Sequence, residues 1–452
     1  MRVVLISTYE LGRQPFGLAS PAAWLRRAGA EVTCVDTSVQ ELPVAAIRDA
    51  DLLAFYLPMH TATRKAIQLL QPVRTVNSRA PLCFFGLYAP MNAEYLRSLG
   101  ADMILGGEFE EGLVSWTKQW ADGPGVRSHK TPTISLARQR FLPPDRSSLP
   151  SLERYARLTM PDGEQRITGY TEASRGCKHL CRHCPVVPVY QGQFRIVQPE
   201  VVLADIDAQV EMGAQHITFG DPDFFNGIGH ALALVKALHE RHPGLSYDVT
   251  IKIEHLLRYS NHLEKLRETG CLFVTSAVES VDDRVLRLLD KGHTRKDFLA
   301  VLQRCRAAGL VLSPTFIPFT PWTTLEGYRE LLQLLADEEL VDQVAPVQLA
   351  IRLLIPSGSR LLELAEVRNR VGEFDPQALS YRWNHPDPRM DTLQRQLLRF
   401  INDAECRGLS RQEIFSGIWD RAQEHPPPLE FPSMPPRLSR AAVPYLTEPW
   451  YC

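Results

Sequence analysis

Three cysteines within eight positions, Cys177, Cys181 and Cys184, carry the most pointed chemistry in the chain. They stand in the run Thr171-Glu172-Ala173-Ser174-Arg175-Gly176-Cys177-Lys178-His179-Leu180-Cys181-Arg182-His183-Cys184-Pro185. Spacings of four and three let one loop wrap three thiolates around a face of a compact cluster, and thiolates are the ligands that iron–sulfur clusters take. With three local cysteines, a cubane [4Fe–4S] cluster keeps one iron without a protein ligand, as catalytic zinc keeps an open position. Two other readings compete. Zinc could take a fourth ligand from His183 or His179, although structural zinc sites usually come as paired knuckles and the sequence has no second pair. The cysteines could also be small buried hydrophobes, but Lys178 and Arg182 beside them argue for a loop.

The elements that must hold this loop are legible as alternating strand and helix signals. Over residues 1–125 the apolar runs Val3 to Ile6, Glu31 to Val35, Asp51 to Leu57, Leu82 to Gly86 and Met103 to Leu105 read as five strands. Helical stretches at Pro21 to Ala28, Ala45 to Arg48 and Arg64 to Val73 separate them, which predicts a doubly wound α/β sheet. Residues 126–165 are polar and proline-bearing and read as a linker. Over residues 166–365 the alternation resumes, with strands at Ile167 to Ala173, His216 to Gly220, Tyr247 to Ile253, Leu272 to Val278, Leu310 to Ile317 and Val347 to Leu354. A helix predicted at Arg295 to Ala308 sets Phe298, Val301, Leu302 and Cys305 on one face. Six such units are too few for an eight-stranded barrel and suit an incomplete one, with chemistry at the carboxyl ends of the strands. Residues 366–452 read as a helical extension followed by a proline-rich tail.

Composition bounds the function. At about 150 residues per domain, 452 residues suggest roughly three domains. Hydrophobic residues at 44% and charged residues at 23% are those of a globular protein. Fifty basic against 52 acidic residues give no global field for an anionic membrane and speak against a large nucleic acid as partner. No apolar run reaches the roughly 18 residues of a spanning helix, and the first residues do not make a signal peptide. The expected address is the cytoplasm, where the nine cysteines stay reduced.

The Cys-x3-Cys-x2-Cys loop after the first barrel strand resembles that of the radical S-adenosylmethionine (radical SAM) superfamily. Further segments are similar. Phe219-Gly220-Asp221-Pro222-Asp223-Phe224 falls where the superfamily places a Gly-Gly-Glu motif that receives the methionyl amine of SAM, with Asp221-Pro222 departing from it. Ala277-Val278-Glu279-Ser280 with Lys291-Gly292-His293-Thr294 looks like the fourth-strand motif of cobalamin-type members, whose Glu279 and Ser280 approach SAM by that resemblance. The competing reading of Gly220 and Pro222 is a turn, and that of Glu279 is a cap on the helix starting near Asp282. Pro318-Phe319-Thr320-Pro321-Trp322-Thr323-Thr324 sits where relatives carry a Gly-x-Pro-x-x-Thr turn.

An amino-terminal α/β domain ahead of the barrel resembles the cobalamin-binding subgroup, with Gly86, Gly106 and Gly107 at its glycine turns. The segment Ser7-Thr8-Tyr9-Glu10-Leu11-Gly12 lacks the histidine of that subgroup's cobalt-ligating motif. The end Glu448-Pro449-Trp450-Tyr451-Cys452 looks like the start of the tail of the CUAEP/CCAEP-tail radical SAM (seleno)proteins. That likeness makes Cys452 a candidate catalytic thiol and raises the expectation of a selenocysteine codon after it. Cys34, Cys83 and Cys305 read as core; Cys271 and Cys406 have no tie to chemistry, and His60 is a further strand-end candidate.

By this resemblance the chain binds a [4Fe–4S] cluster through Cys177, Cys181 and Cys184, cleaves S-adenosyl-L-methionine reductively and generates a 5′-deoxyadenosyl radical toward an unidentified substrate. A one-electron reductant such as flavodoxin or ferredoxin is then a partner, and cobalamin a further cofactor. A cobalamin-dependent radical methyltransferase is the alternative, and a non-catalytic iron–sulfur or zinc-binding redox or scaffold protein a third class. A methylthiotransferase is disfavoured, because the amino-terminal domain offers only Cys34 and Cys83 where that family places three cluster ligands.

Overall fold

The computed structural model describes residues 1–121, 133–423 and 439–448. Strands β1 (Arg2–Ser7), β2 (Glu31–Asp36), β3 (Leu52–Tyr56), β4 (Leu82–Phe85), β5 (Met103–Gly107) and β6 (Ile134–Ser135) form one parallel sheet in the order β2-β1-β3-β4-β5-β6. The five strands read from the sequence are the first five of it. Their uninterrupted apolar character has a direct cause, since both faces of the sheet are covered. Val4, Ile6, Leu53 and Phe55 enter one core layer, and Val3, Leu5, Leu52 and Ala54 the other. The order reverses between β1 and β3, where ligands collect in open α/β sheets.

The second sheet is a curled half-barrel. Its parallel strands are β8 (Gln165–Thr171), β11 (His216–Phe219), β12 (Ser246–Thr250), β13 (Cys271–Glu279) and β14 (Val311–Phe316). Two antiparallel strands extend its first edge: β7 (Arg157–Thr159) pairs with β8, and β17 (Tyr445–Leu446) with β7. β9 (Ser174–Gly176) and β10 (Phe194–Ile196) pair as a separate two-stranded ladder beyond β8, and β15 (Val371–Asp375) and β16 (Ser380–Trp383) form a hairpin. The sixth barrel strand, expected at Val347 to Leu354, is reduced to a parallel bridge between Phe319 and Arg352. Pro346 starts a short 3₁₀ turn there, and proline at the first helical position favours the turn over an extended start.

Helices cover the outer face of this sheet. The helix Arg295–Ala307 buries Phe298, Val301, Leu302 and Cys305 as its periodicity predicts, and a Thr294–Asp297 capping box fixes its start. The carboxyl-terminal helices Pro388–Cys406 and Arg411–Ala422 add Leu397, Ile401, Ile414 and Trp419 to the same core. No described helix is long and apolar enough to cross a membrane.

The segment read as a linker does more than connect. Besides β6 and β7 it carries Arg146, which is 5% exposed. Arg146 donates to Asp205 at 2.7 and 2.9 Å, to Gln14 Oε1 at 2.7 Å and to the Tyr170 carbonyl at 2.7 Å. One guanidinium thus joins the first domain, a barrel helix and the first barrel strand.

Candidate active site

The cysteine loop leaves β9 through Gly176, whose φ of +76° and close neighbours admit no side chain. A Cβ there would stand 2.3 Å from the Tyr190 ring and 2.5 Å from the Gln193 carbonyl oxygen. Asn226, buried beside β11's end, holds the loop's start: its Oδ1 accepts from Lys178 N at 3.3 Å and lies 3.8 Å from Cys177 Sγ. Its Nδ2 donates to the Gly176 carbonyl at 3.4 Å. Farther along, Arg182 N donates to the Leu289 carbonyl at 2.9 Å, Arg360 to the Leu180 carbonyl at 2.7 Å and Ser359 to the Arg182 carbonyl at 3.2 Å. The loop is therefore held from both sides of the barrel.

All three thiols are free. Burial pushes Cys177 up and Cys184 up to about 12; Cys181 adds repulsion in both cases, and the Lys291 ammonium works against it at Cys184. Three thiols of one loop, within electrostatic reach of one another and beside a buried cation, are a donor set that fits an iron–sulfur cluster. They do not gather around a single ion. Among the described residues, the one group of three metal-ligating side chains whose atoms lie within 4.8 Å of one another is His179, Asp223 and His255.

Both histidines of the zinc reading face carboxylates instead of the thiols. His183 Nε2 is 3.0 Å from Glu279 Oε1, and His179 Nε2 is 3.4 Å from Asp223 Oδ2. His255 Nδ1 shares that Asp223 oxygen at 2.7 Å, and Lys252 Nζ lies 3.1 Å from His179 Nδ1. Burial opposes ionisation of Asp223, but His179 and His255 hold its carboxyl below the usual range.

Glu279 closes β13. A register shift between Ala277 and Glu279 and a φ of +69° turn its side chain inward, onto Lys291 Nζ at 3.3 Å as well as His183. Burial raises its pKa, yet Lys291 and His183 outweigh that and hold it at about 2. The helix cap is Asp282, which accepts from Arg284 N at 2.7 Å; Ser280 Oγ accepts from Asp282 N at 3.1 Å. Glu279 thus joins the cysteine loop to the fourth strand and is no cap.

Asp221, 2% exposed, accepts from Ser174 Oγ at 2.5 Å and from Ala173 N at 2.9 Å, so it clasps β11's end to β9. Burial pushes its carboxyl up to about 7 against those bonds. Gly220 lies under the Tyr170 hydroxyl, 1.8 Å from where its Cβ would be. In the first domain, Gly86 packs against the Leu57 carbonyl, Gly106 against Pro90 and Gly107 against the Ser135 carbonyl. His60 Nε2 stands 2.6 Å from the Ala378 carbonyl oxygen, with its ring 6.4 Å from that of Tyr88. Cys34 and Cys83 lie inside the first sheet, Cys271 and Cys305 inside the barrel core, and Cys406 is exposed. Cys452 lies outside the described residues.

Sequence reading missed Asn226, Lys252 and the central place of Arg175. Arg175 precedes Gly176 and is buried between the domains, 2.7 Å from Glu110, 2.8 Å from Glu172 and 3.3 Å from Glu108. Phe16, Phe109 and Phe141 lie 5.0–5.6 Å from its guanidinium. Burial pushes Glu108 up to about 7 although Arg175 opposes it. Between the domains is a cavity of about 200 Å³, bounded by the ends of both sheets.

Residues 171–335 match the Radical SAM superfamily. Two curated relatives are tRNA-2-methylthio-N(6)-dimethylallyladenosine synthases of Escherichia coli O139:H28 (strain E24377A / ETEC) and of Escherichia fergusonii. Each is 25% identical over 225 residues, covering 47% of this chain and 44% of the relative. The chain thus spans less than half the length of these relatives. The fold is similar to that of the radical SAM methyltransferase TsrM from Kitasatospora setae (TM-score 0.64, 15% identity, 84% of this chain and 82% of that one). It is also similar to the cobalamin-dependent radical enzyme OxsB (TM-score 0.66, 14% identity, 89% and 67%). Cysteine loop, half-barrel and sequence match coincide: residues 171–335 are a radical SAM superfamily domain.

Proposed function

We propose that the chain is a radical SAM enzyme whose cluster is held by Cys177, Cys181 and Cys184. When bound, the [4Fe–4S] cluster supplies the low-potential electron that cleaves SAM reductively and thereby a 5′-deoxyadenosyl radical. The observation that carries this reading is the three-thiol loop, free of disulfides and fixed by Asn226, Glu279 and Arg360 at the carboxyl end of a half-barrel. The protein's own part is to hold that loop in place and to set Lys291 as a counter-charge beside its thiols. Gly220, Asp221, Glu279 and Ser280 frame the place proposed for SAM. Asp221 shapes it through its bonds to Ala173 and Ser174.

A one-electron donor such as flavodoxin or ferredoxin and a cytoplasmic, reducing setting belong to the same proposal. So does the finer kinship with CUAEP/CCAEP-tail proteins, in which Cys452 serves as a catalytic thiol. The codon after Cys452 tests it, and UAA or UAG there ends it.

The test is direct. Anaerobically reconstituted protein with dithionite is expected to form 5′-deoxyadenosine from SAM, and C177A, C181A and C184A to lose it. Turnover persisting in those variants overturns the assignment.

A second reading, a cobalamin-dependent radical methyltransferase, is favoured by one observation: the likeness to TsrM and OxsB runs through both domains. Gly86, Gly106 and Gly107 would then border the corrin. The interdomain cavity holds about 200 Å³ and has no histidine in its lining to ligate cobalt. It is smaller than the roughly 300–1,000 Å³ of ordinary ligand pockets, so the cavity does not fit a corrin. S-adenosylhomocysteine formed beside 5′-deoxyadenosine supports this reading, and its absence with added cobalamin refutes it.

A further inference from the structure

The interdomain cavity is lined by two acids, Glu10 and Glu172, and two bases, Arg13 and Arg175. Of the two bases, Arg175 is engaged by carboxylates, while Arg13 is paired through one terminal nitrogen and its Nε has no hydrogen-bond partner. Arg13 pairs with Glu448, and Arg175 with Glu108, Glu110 and Glu172. Glu10, at the carboxyl end of β1, lines the same cavity at 6% exposure, and its Oε2 has no hydrogen-bond partner. A buried carboxyl oxygen without a partner is destabilising, and more so when charged. Burial and the nearby Glu172 push the Glu10 carboxyl well up, toward its neutral form; Arg13 and Arg146 offset this only in part.

The other walls are aromatic. Tyr56 and Tyr170 line the cavity, and both hydroxyls feel the charges of Glu10 and Glu172. Phe16 and Phe109 complete the ring of faces. A cation seated beside Glu10 would hold that carboxyl ionised and give its free oxygen a partner, and the aromatic faces would add their ring quadrupoles. Glu10 belongs to the first domain and Glu172 to the barrel, so a cation between them would touch both.

We propose that this cavity binds a small molecule bearing a positively charged nitrogen, seated between Glu10 and Glu172 against Tyr56 and Tyr170. Calling that molecule the substrate rests on the proposed radical SAM function; the binding itself does not. The cavity reaches Gly176 and Gly220, at the rim of the cysteine loop and of the proposed SAM site, so a ligand here lies where a radical enzyme must hold its substrate.

The probe is 2-phenylethylammonium, with the uncharged 2-phenylethanol as its partner in shape. Thermal unfolding of the cluster-loaded full chain is followed anaerobically, with and without saturating SAM. The ammonium is expected to raise the melting temperature, the alcohol to leave it unchanged, and the rise to add to that given by SAM. Glu10→Gln is expected to weaken ammonium binding at least tenfold and to leave the ligand-free protein no less stable, since it replaces an unpartnered carboxyl. Equal effects of alcohol and ammonium, no effect of the ammonium, or unchanged binding in Glu10→Gln overturns the proposal. Competition between ammonium and SAM also overturns it, because the carboxylates then serve SAM. Should Glu10→Gln fail to fold, the ammonium–alcohol contrast in the unaltered protein still decides. Failure of SAM cleavage with a positive binding result would sink the enzymatic reading alone.

Discussion

Glu279 and His183 lie 96 positions apart in the chain and 3.0 Å apart in space, carboxylate oxygen to ring nitrogen. The fourth barrel strand thereby grips the loop between its second and third cysteines, with Lys291 on the same oxygen. Glu279→Gln is expected to destabilise the protein by about 3–5 kcal/mol, the range for breaking a buried pair. The pH dependence follows from its carboxyl being held at about 2, below the ordinary 4.5. The contribution is full above about pH 4.5 and disappears as pH falls toward 2. Denaturant titrations across this range check it, and the variant should lack that acid-dependent part.

Asn226 fixes both Gly176 and Lys178 through one side chain. Asn226→Ala is expected to cost about 1–3 kcal/mol for the polar groups left without partners. The cluster-loaded variant should lose iron faster on buffer exchange than the unaltered protein, as iron and sulfide analysis measures. Equal retention would show that the loop holds itself.

Iron uptake should be controlled by protons. Cys184 sits at about 12 and Cys177 is also raised, and a thiol must lose its proton before it can ligate. The rate of cluster insertion is expected to rise about tenfold per pH unit if one thiol is limiting. Visible absorbance during anaerobic reconstitution follows it, and a rate flat from about pH 7 to 9 would contradict it.

Arg175 stands against three carboxylates with almost no exposure. Arg175→Gln leaves them without a counter-charge and is expected to cost about 3–5 kcal/mol. Because Glu108 and Glu110 come from the first domain and Glu172 from the barrel, calorimetry should show a single unfolding transition broaden or split.

Local signals in the chain sufficed for the elements and for the loop. Continuous apolar runs announce two-sided burial, as Val3 to Ile6 does, and Phe298, Val301, Leu302 and Cys305 show which face of a helix is covered. Cys177, Cys181 and Cys184 are recognisable because one short loop holds them all. Relations across long separations were not legible: nothing near Asn226 says that it meets Gly176, and nothing near Arg146 says that it meets Asp205 and Gln14. The sixth strand failed for a different reason. Val347 to Leu354 is apolar enough to be buried, but burial there is achieved by a 3₁₀ turn and one bridge, which periodicity cannot distinguish from a strand.

The pairing of β17 with β7 also bears on biogenesis. Tyr445 and Leu446 meet Thr159 and Leu158 only after every other strand of that sheet has been made, and Glu448 then reaches back to Arg13. While a ribosome is still translating the helices before them, the β7 border remains a bare row of amide and carbonyl groups, the kind of edge on which nascent chains stick to one another. Polypeptides stalled short of β17 are therefore the species for which chaperone capture and self-association matter most.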